Sequence, residues 1–235
     1  MTNIESAIKI EEQYIQHRLN GEEPFNLEDE IKKCGFDSLE HYFNEKIDFQ
    51  ISKLNFSVEE VLPFTAAEAM LNLMKTKTNG ILLMNTDQTV VYHGSKDFNR
   101  EYCEQNNIPV IEHYSNGGTL VASDGELSIG VCMPFFDGLS GRYMLLKLKS
   151  ILDKYYDDVI VDNNDILING KKVCGTTVYP TSEIFGFLAQ FSFDDKTELI
   201  DKICYPSESG SGKVAGYIDK LTREELRKEV LEWLL

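Results

Sequence analysis

Two short stretches of this chain carry residues whose types and spacing could do chemistry. The first runs Asn164-Asp165-Ile166-Leu167-Ile168-Asn169-Gly170-Lys171-Lys172-Val173-Cys174-Gly175. Asn-Gly is the turn dipeptide of a two-residue hairpin loop, so the block reads as two short strands joined at Asn169-Gly170. Side chains alternate along a strand, which puts Lys172 and Cys174 on one face and Lys171 and Val173 on the other. An inward lysine can hold a carbonyl or phosphate oxygen as a point charge, whereas an outward one is a solvated hairpin lysine. Cys174 beside an ammonium admits thiolate chemistry, because a neighbouring positive charge lowers a thiol pKa. A small buried strand residue is the plainer reading of that cysteine.

The second stretch is Ser115-Asn116-Gly117-Gly118-Thr119, between two strand-like segments. Adjacent glycines let backbone amides approach a ligand and form an anion-holding concavity, although the same pair also serves as an ordinary turn. Gly210-Ser211-Gly212-Lys213 has the look of a P-loop end but lacks the preceding strand and the earlier glycine. His93 and His113 have no companion spacing that assigns them a role.

The elements that must position these residues are legible as periodicities. Residues 1–60 read as a helical N-terminal extension. Ile4, Ile8, Tyr14, Ile15 and Leu19 share a face up to Gly21, then come LEDEIKKCG and a third helix capped at Asp37 or Ser38. Residues 61–235 alternate strands with single helices. TAAEAMLNLMKT, NREYCEQNN, GRYMLLKLKSILDKYY, ELIDKI and REELRKEVLEWLL read as helices. ILLMN, TVVYH, IPVIEHY, TLVAS, ELSIGVCMP, DVIVD, DILIN, KKVCGTTVY and IFGFLAQFSF read as strands. Asp124-Gly125, between TLVAS and ELSIGVCMP, is a hairpin turn signal. Phe185, Phe187, Phe191 and Phe193 read as one face of a strand, hence core. The expected fold is α+β, with a mostly antiparallel central sheet flanked by helices.

Composition narrows the function classes. A formal net charge of −16 gives no average positive field for nucleic acid or lipid headgroups, so neither is an expected partner. Five scattered cysteines without a CxxC pair suit reduced thiols and a cytoplasmic setting. The opening MTNIESAIKIEEQ has no basic start followed by an apolar run, so it does not read as a secretory signal.

The order of motifs resembles the lipoate branch of the biotin/lipoate protein ligase superfamily, that is, the lipoate-protein ligases and octanoyltransferases. Thr65-Ala66-Ala67-Glu68-Ala69-Met70-Leu71 approximates the family's Asn-x-Ala-x-Glu helix opening. Glu112 to Leu120 stands in place of its Arg-Arg-x-x-Gly-Gly-Gly-Ala-Val block, and Asn164 to Gly175 closely matches its Asn-Asp…Gly-Lys-Lys-Val-Ser-Gly block. The resemblance spans residues 61–226. It implies activation of lipoate by ATP and Mg²⁺ to an acyl-adenylate, then transfer to a lysine of a lipoyl-domain acceptor protein. It makes Lys172 the catalytic lysine and Asp165 the acid near metal and nucleotide. Gly117, Gly118, Thr119, Gly175 and Thr176 become substrate-binding positions. Glu112-His113 replace the paired arginines, Asn116 the first glycine, Ala122-Ser123 a His-Asp, and Gly125-Glu126 a Gly-Asn. Two other readings stay open. One is an acyltransferase that uses Cys174 as nucleophile without ATP; the other is a family member that keeps the fold for binding alone.

Overall fold

The computed structural model describes residues 2–86, 88–93, 98–112, 120–204 and 214–235. Its contacts divide the chain into two units, residues 1–54 with 136–138, and residues 55–135 with 139–235.

The smaller unit contains three helices, α1 (Asn3–Leu19), α2 (Leu27–Lys33) and α3 (Leu39–Ile51). Each begins at a polar N-cap, which for α3 is Ser38, one of the two expected caps. Thr2 and Glu5 form a capping box, Asn26 accepts from the amides of Glu28 and Asp29, and Ser38 accepts from the amide of His41. Ala7, Ile31, Phe36 and Tyr42 form the core. Buried Glu11 has two donors, the Tyr42 hydroxyl at 2.5 Å and Lys46 Nζ at 2.6 Å. That satisfies a carboxylate which would otherwise be costly to bury.

The larger unit is built on a seven-stranded sheet in the order β1-β2-β6-β10-β9-β8-β7. The strands are β1 (Ser57–Glu60), β2 (Gly80–Asn85), β6 (Leu127–Pro134), β7 (Val159–Asp162), β8 (Asp165–Ile168), β9 (Lys171–Pro180) and β10 (Ile184–Phe191). All pairings are antiparallel except that of β1 with β2. β1 is a strand that the helical reading of residues 1–60 did not contain. Its four exposed residues have no alternating apolar pattern, and pairing with β2 supplies what local periodicity lacks.

The two faces of this sheet differ. Phe185, Phe187 and Phe191 are almost fully buried on one face, as their spacing predicts, with Ile129, Val131, Ile81 and Leu83 in register beside them. Helix α6 (Gly141–Leu152) approaches this face, its Gly141 lying against Val178 of β9. The opposite face carries Gly80, Gly130 and Gly186. Helix α4 (Pro63–Thr76) lays Leu73, Met70 and Met74 onto those three glycines, where a Cβ would meet them at 2.6, 2.8 and 3.3 Å. The glycines therefore allow a close helix-sheet contact.

A second sheet, β4-β3-β5, pairs β3 (Val90–His93) with β4 (Val110–Glu112) in parallel and with β5 (Leu120–Ala122) antiparallel. The expected hairpin of TLVAS and ELSIGVCMP is corrected here. Asp124-Gly125 does turn the chain, with Gly125 at φ +90°, but β5 goes to the small sheet and β6 to the large one. Both edges of β6 are taken by β2 and β10, which leaves none for β5. Around the small sheet, α5 (Arg100–Gln105) and α7 (Thr197–Ile203) contribute Cys103 and Ile203 to a core with Val91, Phe98, Val121 and Cys204. Helix α8 (Arg223–Leu234) starts at a Thr222–Glu225 capping box. Among the described residues, no helix is long and apolar enough to cross a membrane.

Candidate functional site

The Asn164–Gly175 block forms the β8–β9 hairpin. Asn169 (φ +50°) and Gly170 (φ +73°) both adopt the left-handed conformation that a tight Asn-Gly turn requires. Pairing begins regularly, with Ile168 opposite Lys171 and Leu167 opposite Lys172. The register then shifts, so that Ile166 faces Cys174 and Asp165 faces Gly175, leaving Val173 as an extra residue. Such a bulge changes the parity of every later residue. Lys172 therefore shares a face with Leu167, Asp165 and Gly175, while Cys174 turns to the phenylalanine face opposite Phe191. Simple alternation placed Lys172 and Cys174 together, and the bulge corrects that.

On the Lys172 face, Lys172 Nζ lies 2.8 Å from Asp165 Oδ1. The lysine side chain retains 28% of its exposure and the aspartate 10%. A Cβ on Gly175 would sit 3.1 Å from both Cε and Nζ of Lys172, so the ammonium reaches the aspartate closely over the bare glycine. β10 ends opposite Cys174, and the Lys172 backbone is completed elsewhere: its N–H donates to Val214 at 2.9 Å, and its carbonyl accepts from Gly216 at 2.8 Å. Sequence reasoning assigned no role to Val214 or Gly216.

The other expected site residues are distributed as follows. Thr176 faces away from Lys172, opposite Ala189, and both its N–H (2.9 Å) and its hydroxyl (2.8 Å) donate to the Asn164 carbonyl. Thr176 thus pins the turn before Asp165. Cys174 is 1% exposed; burial pushes its thiol far up, opposed only in part by the Lys172 charge. Gly117, Gly118 and Thr119 lie outside the described residues, as do His113 and the 210–213 cluster. Glu112 is exposed at the end of β4.

A second cluster on the same face was not expected. The row running across the sheet through Asp165 and Gly175 continues to Gln190 and Ser128, both buried. Glu126, 1% exposed in the turn before β6, accepts from the Gln190 amide nitrogen and from Ser192 Oγ at 3.2 Å, and pairs with Lys196. Lys196 Nζ also donates to the Val121 carbonyl at 3.3 Å. Burial lowers the pKa of the Lys196 ammonium. The one local signal was Gln190 itself, a polar residue inside the apolar run IFGFLAQF.

Residues 61–227 match the family profile of the lipoyl protein ligase A/B catalytic domain. The chain belongs to this family. No curated protein matches it, but solved structures share its fold. The Plasmodium falciparum protein LipL1 in complex with lipoate superposes with a TM-score of 0.61 at 11% identity, over 76% of this chain and 61% of that one. This chain therefore spans less than two thirds of that structure. A bi-partite lipoate protein ligase from Thermoplasma acidophilum, studied with its E2 lipoyl domain, gives 0.60 at 14% identity over 77% and 81%. A lipoate-protein ligase A bound with ATP gives 0.58 at 14% identity over 77% and 83%. The mixed sheet flanked by helices is thus the fold of the lipoyl ligase catalytic domain. Among its described residues here, no group of three His, Cys, Asp or Glu side chains could hold a metal ion.

Proposed function

We propose that this lipoyl ligase family member attaches lipoate, or a related medium-chain acid, to a lysine of a lipoyl-domain protein through an acyl-adenylate. The observation that carries the reading is the Lys172–Asp165 pair, half-open above the bare Gly175. In the first step a carboxylate oxygen of the acid attacks the α-phosphorus of ATP and pyrophosphate leaves. In the second the acceptor amine attacks the acyl carbonyl, AMP leaves, and the amine proton passes to solvent. Negative charge grows on the phosphoryl oxygens in the first step and on the carbonyl oxygen in the second. An ammonium paired with Asp165 yet partly exposed can donate to that charge from a position already set.

Mg²⁺ bound with a nucleotide keeps most of its waters and takes one or two carboxylates together with phosphate oxygens. Asp165 is a carboxylate suited to that role. When bound, the ion would neutralise phosphate charge. Buried Cys174, on the opposite face with its thiol held protonated, is poorly placed for a thioester route.

A second reading, an acyl-binding protein that does not adenylate, is favoured by one observation. Glu112 stands exposed at the end of β4, where the family pattern has a phosphate-binding arginine. Both readings meet in one experiment, in which lipoate and Mg-ATP are added to the pure protein with a lipoyl domain. Release of pyrophosphate and acylation of the domain, abolished by Lys172→Ala, is the expected result. A rise in melting temperature with lipoate but no pyrophosphate selects the second reading, and neither signal sinks both.

A further inference from the structure

Glu126, Gln190 and Lys196 set a buried charged cluster at the sheet row that holds Ser128, Gly175 and Asp165. Stability does not explain them. Two buried ions lose their hydration, and well-packed apolar residues of similar size commonly do as well or better. Their place in the sheet suggests another reason. Gln190 is directly opposite Gly175 in the β9–β10 ladder, and residues so paired have Cα atoms about 5 Å apart. Gly175 is the residue over which the Lys172 ammonium lies. The cluster therefore adjoins the ammonium on the same face.

The chemistry of the contacts fixes an orientation. A carboxylate only accepts hydrogen bonds, so the Gln190 side chain must turn its amino group toward Glu126 and cannot flip. Ser192 donates to the same carboxylate from the other side. Lys196 cancels the Glu126 charge, so the cluster brings no net negative charge beside Lys172 to repel an anionic group. Its further bond to Val121 ties β5 to this corner.

We propose that Lys196 is a positioning residue of the acyl-transfer site: paired with Glu126, it holds the Gln190 amide in one orientation beside Lys172, so that the second N–H of that amide donates to the polar head of the acyl donor. The proposal rests on the acyl-transfer reading above. It predicts that the three polar groups serve affinity and not folding.

The test replaces them together, as Glu126→Leu, Gln190→Leu and Lys196→Met, in the full chain with lipoate as donor. The expected variant melts within a few degrees of the unmodified protein, while its KM for lipoate rises about tenfold and more than its kcat falls. Lys196→Arg made alone, which keeps the charge beside Glu126, retains much of the affinity. Should the triple variant not fold, Gln190→Met, which leaves the ion pair intact, carries the same prediction for KM. A folded variant of either kind with unchanged KM overturns the positioning role alone. An unmodified protein that neither binds nor transfers lipoate or a medium-chain acid overturns it together with the acyl-transfer reading.

Discussion

Two lysine–carboxylate pairs lie on one face of the large sheet, and they are built oppositely. Lys172 and Asp165 come from adjacent strands of one hairpin, and the lysine remains partly open to solvent. Lys196 and Glu126 come from distant parts of the chain; the lysine is 8% exposed and the glutamate 1%. The open pair leaves its ammonium partly exposed, whereas the closed pair spends its hydrogen bonds on Val121, Gln190 and Ser192. On the proposed function, exposure separates a charge that acts on the substrate from one that holds its neighbours. Surface-accessible pairs contribute little to stability, while breaking a buried pair leaves an uncompensated ion in a poorly solvated place.

The difference makes opposite predictions for the same kind of truncation. Lys196→Ala should destabilise the protein by about 3–5 kcal/mol in urea unfolding, because Glu126 loses its counter-ion. Lys172→Ala should cost less in the same measurement, because Lys172 is partly solvated, although Asp165 is buried. Comparable losses from both would erase the distinction between an acting and a holding pair. In acyl-transfer assays the ranking reverses: Lys172→Ala should lower kcat by about 100- to 1000-fold, the usual loss when a preset charge-stabilising donor is removed.

Gly175→Ala sharpens the geometry of the open pair. The added methyl would lie 3.1 Å from Lys172 Cε and Nζ, so the flexible ammonium end must move by a few tenths of an ångström. Folding should survive with little change in melting temperature. Activity should fall about tenfold, in keeping with the roughly hundredfold cost of a 1 Å misplacement. Full activity in this variant would mean that the ammonium does not work from above Gly175.

The smallest effect concerns Cys174, which the bulge separates from Lys172. Burial raises its thiol pKa above the ordinary value of 9.0. Above that pH the unfolded chain has lost the thiol proton while the folded chain keeps it, so the folded state binds more protons and stability falls as pH rises. Cys174→Ala should remove up to one proton from this dependence, about 1.4 kcal/mol per pH unit, in unfolding curves taken upward from pH 9. At pH 8 the folded protein should leave Cys174 unalkylated. Rapid labelling there would place the thiol beside the ammonium after all.

Much of the frame was legible from local residues. Thr2, Asn26, Ser38 and Thr222 cap helices because short polar side chains satisfy the free first-turn amides. Phe185, Phe187 and Phe191 share the core face because strand periodicity is two. The pairing of Asp165 with Lys172 was hidden, since it depends on a register shift, and Glu126 offered no local sign of a partner 70 residues onward. β1 was missed for the same kind of reason, its pairing with β2 being non-local.

By itself, then, the sequence determined the hairpin at Asn169-Gly170 and the alternating phenylalanines, because turn chemistry and periodicity act between near neighbours, and its Asn164–Gly175 block carried the resemblance to the lipoyl ligase family. The tertiary structure alone decided that Val173 bulges, so that Lys172 meets Asp165 and Cys174 enters the core, and that Lys196 closes on Glu126. Those outcomes follow from strand register and from buried charges finding partners, and both are settled only when distant segments pack.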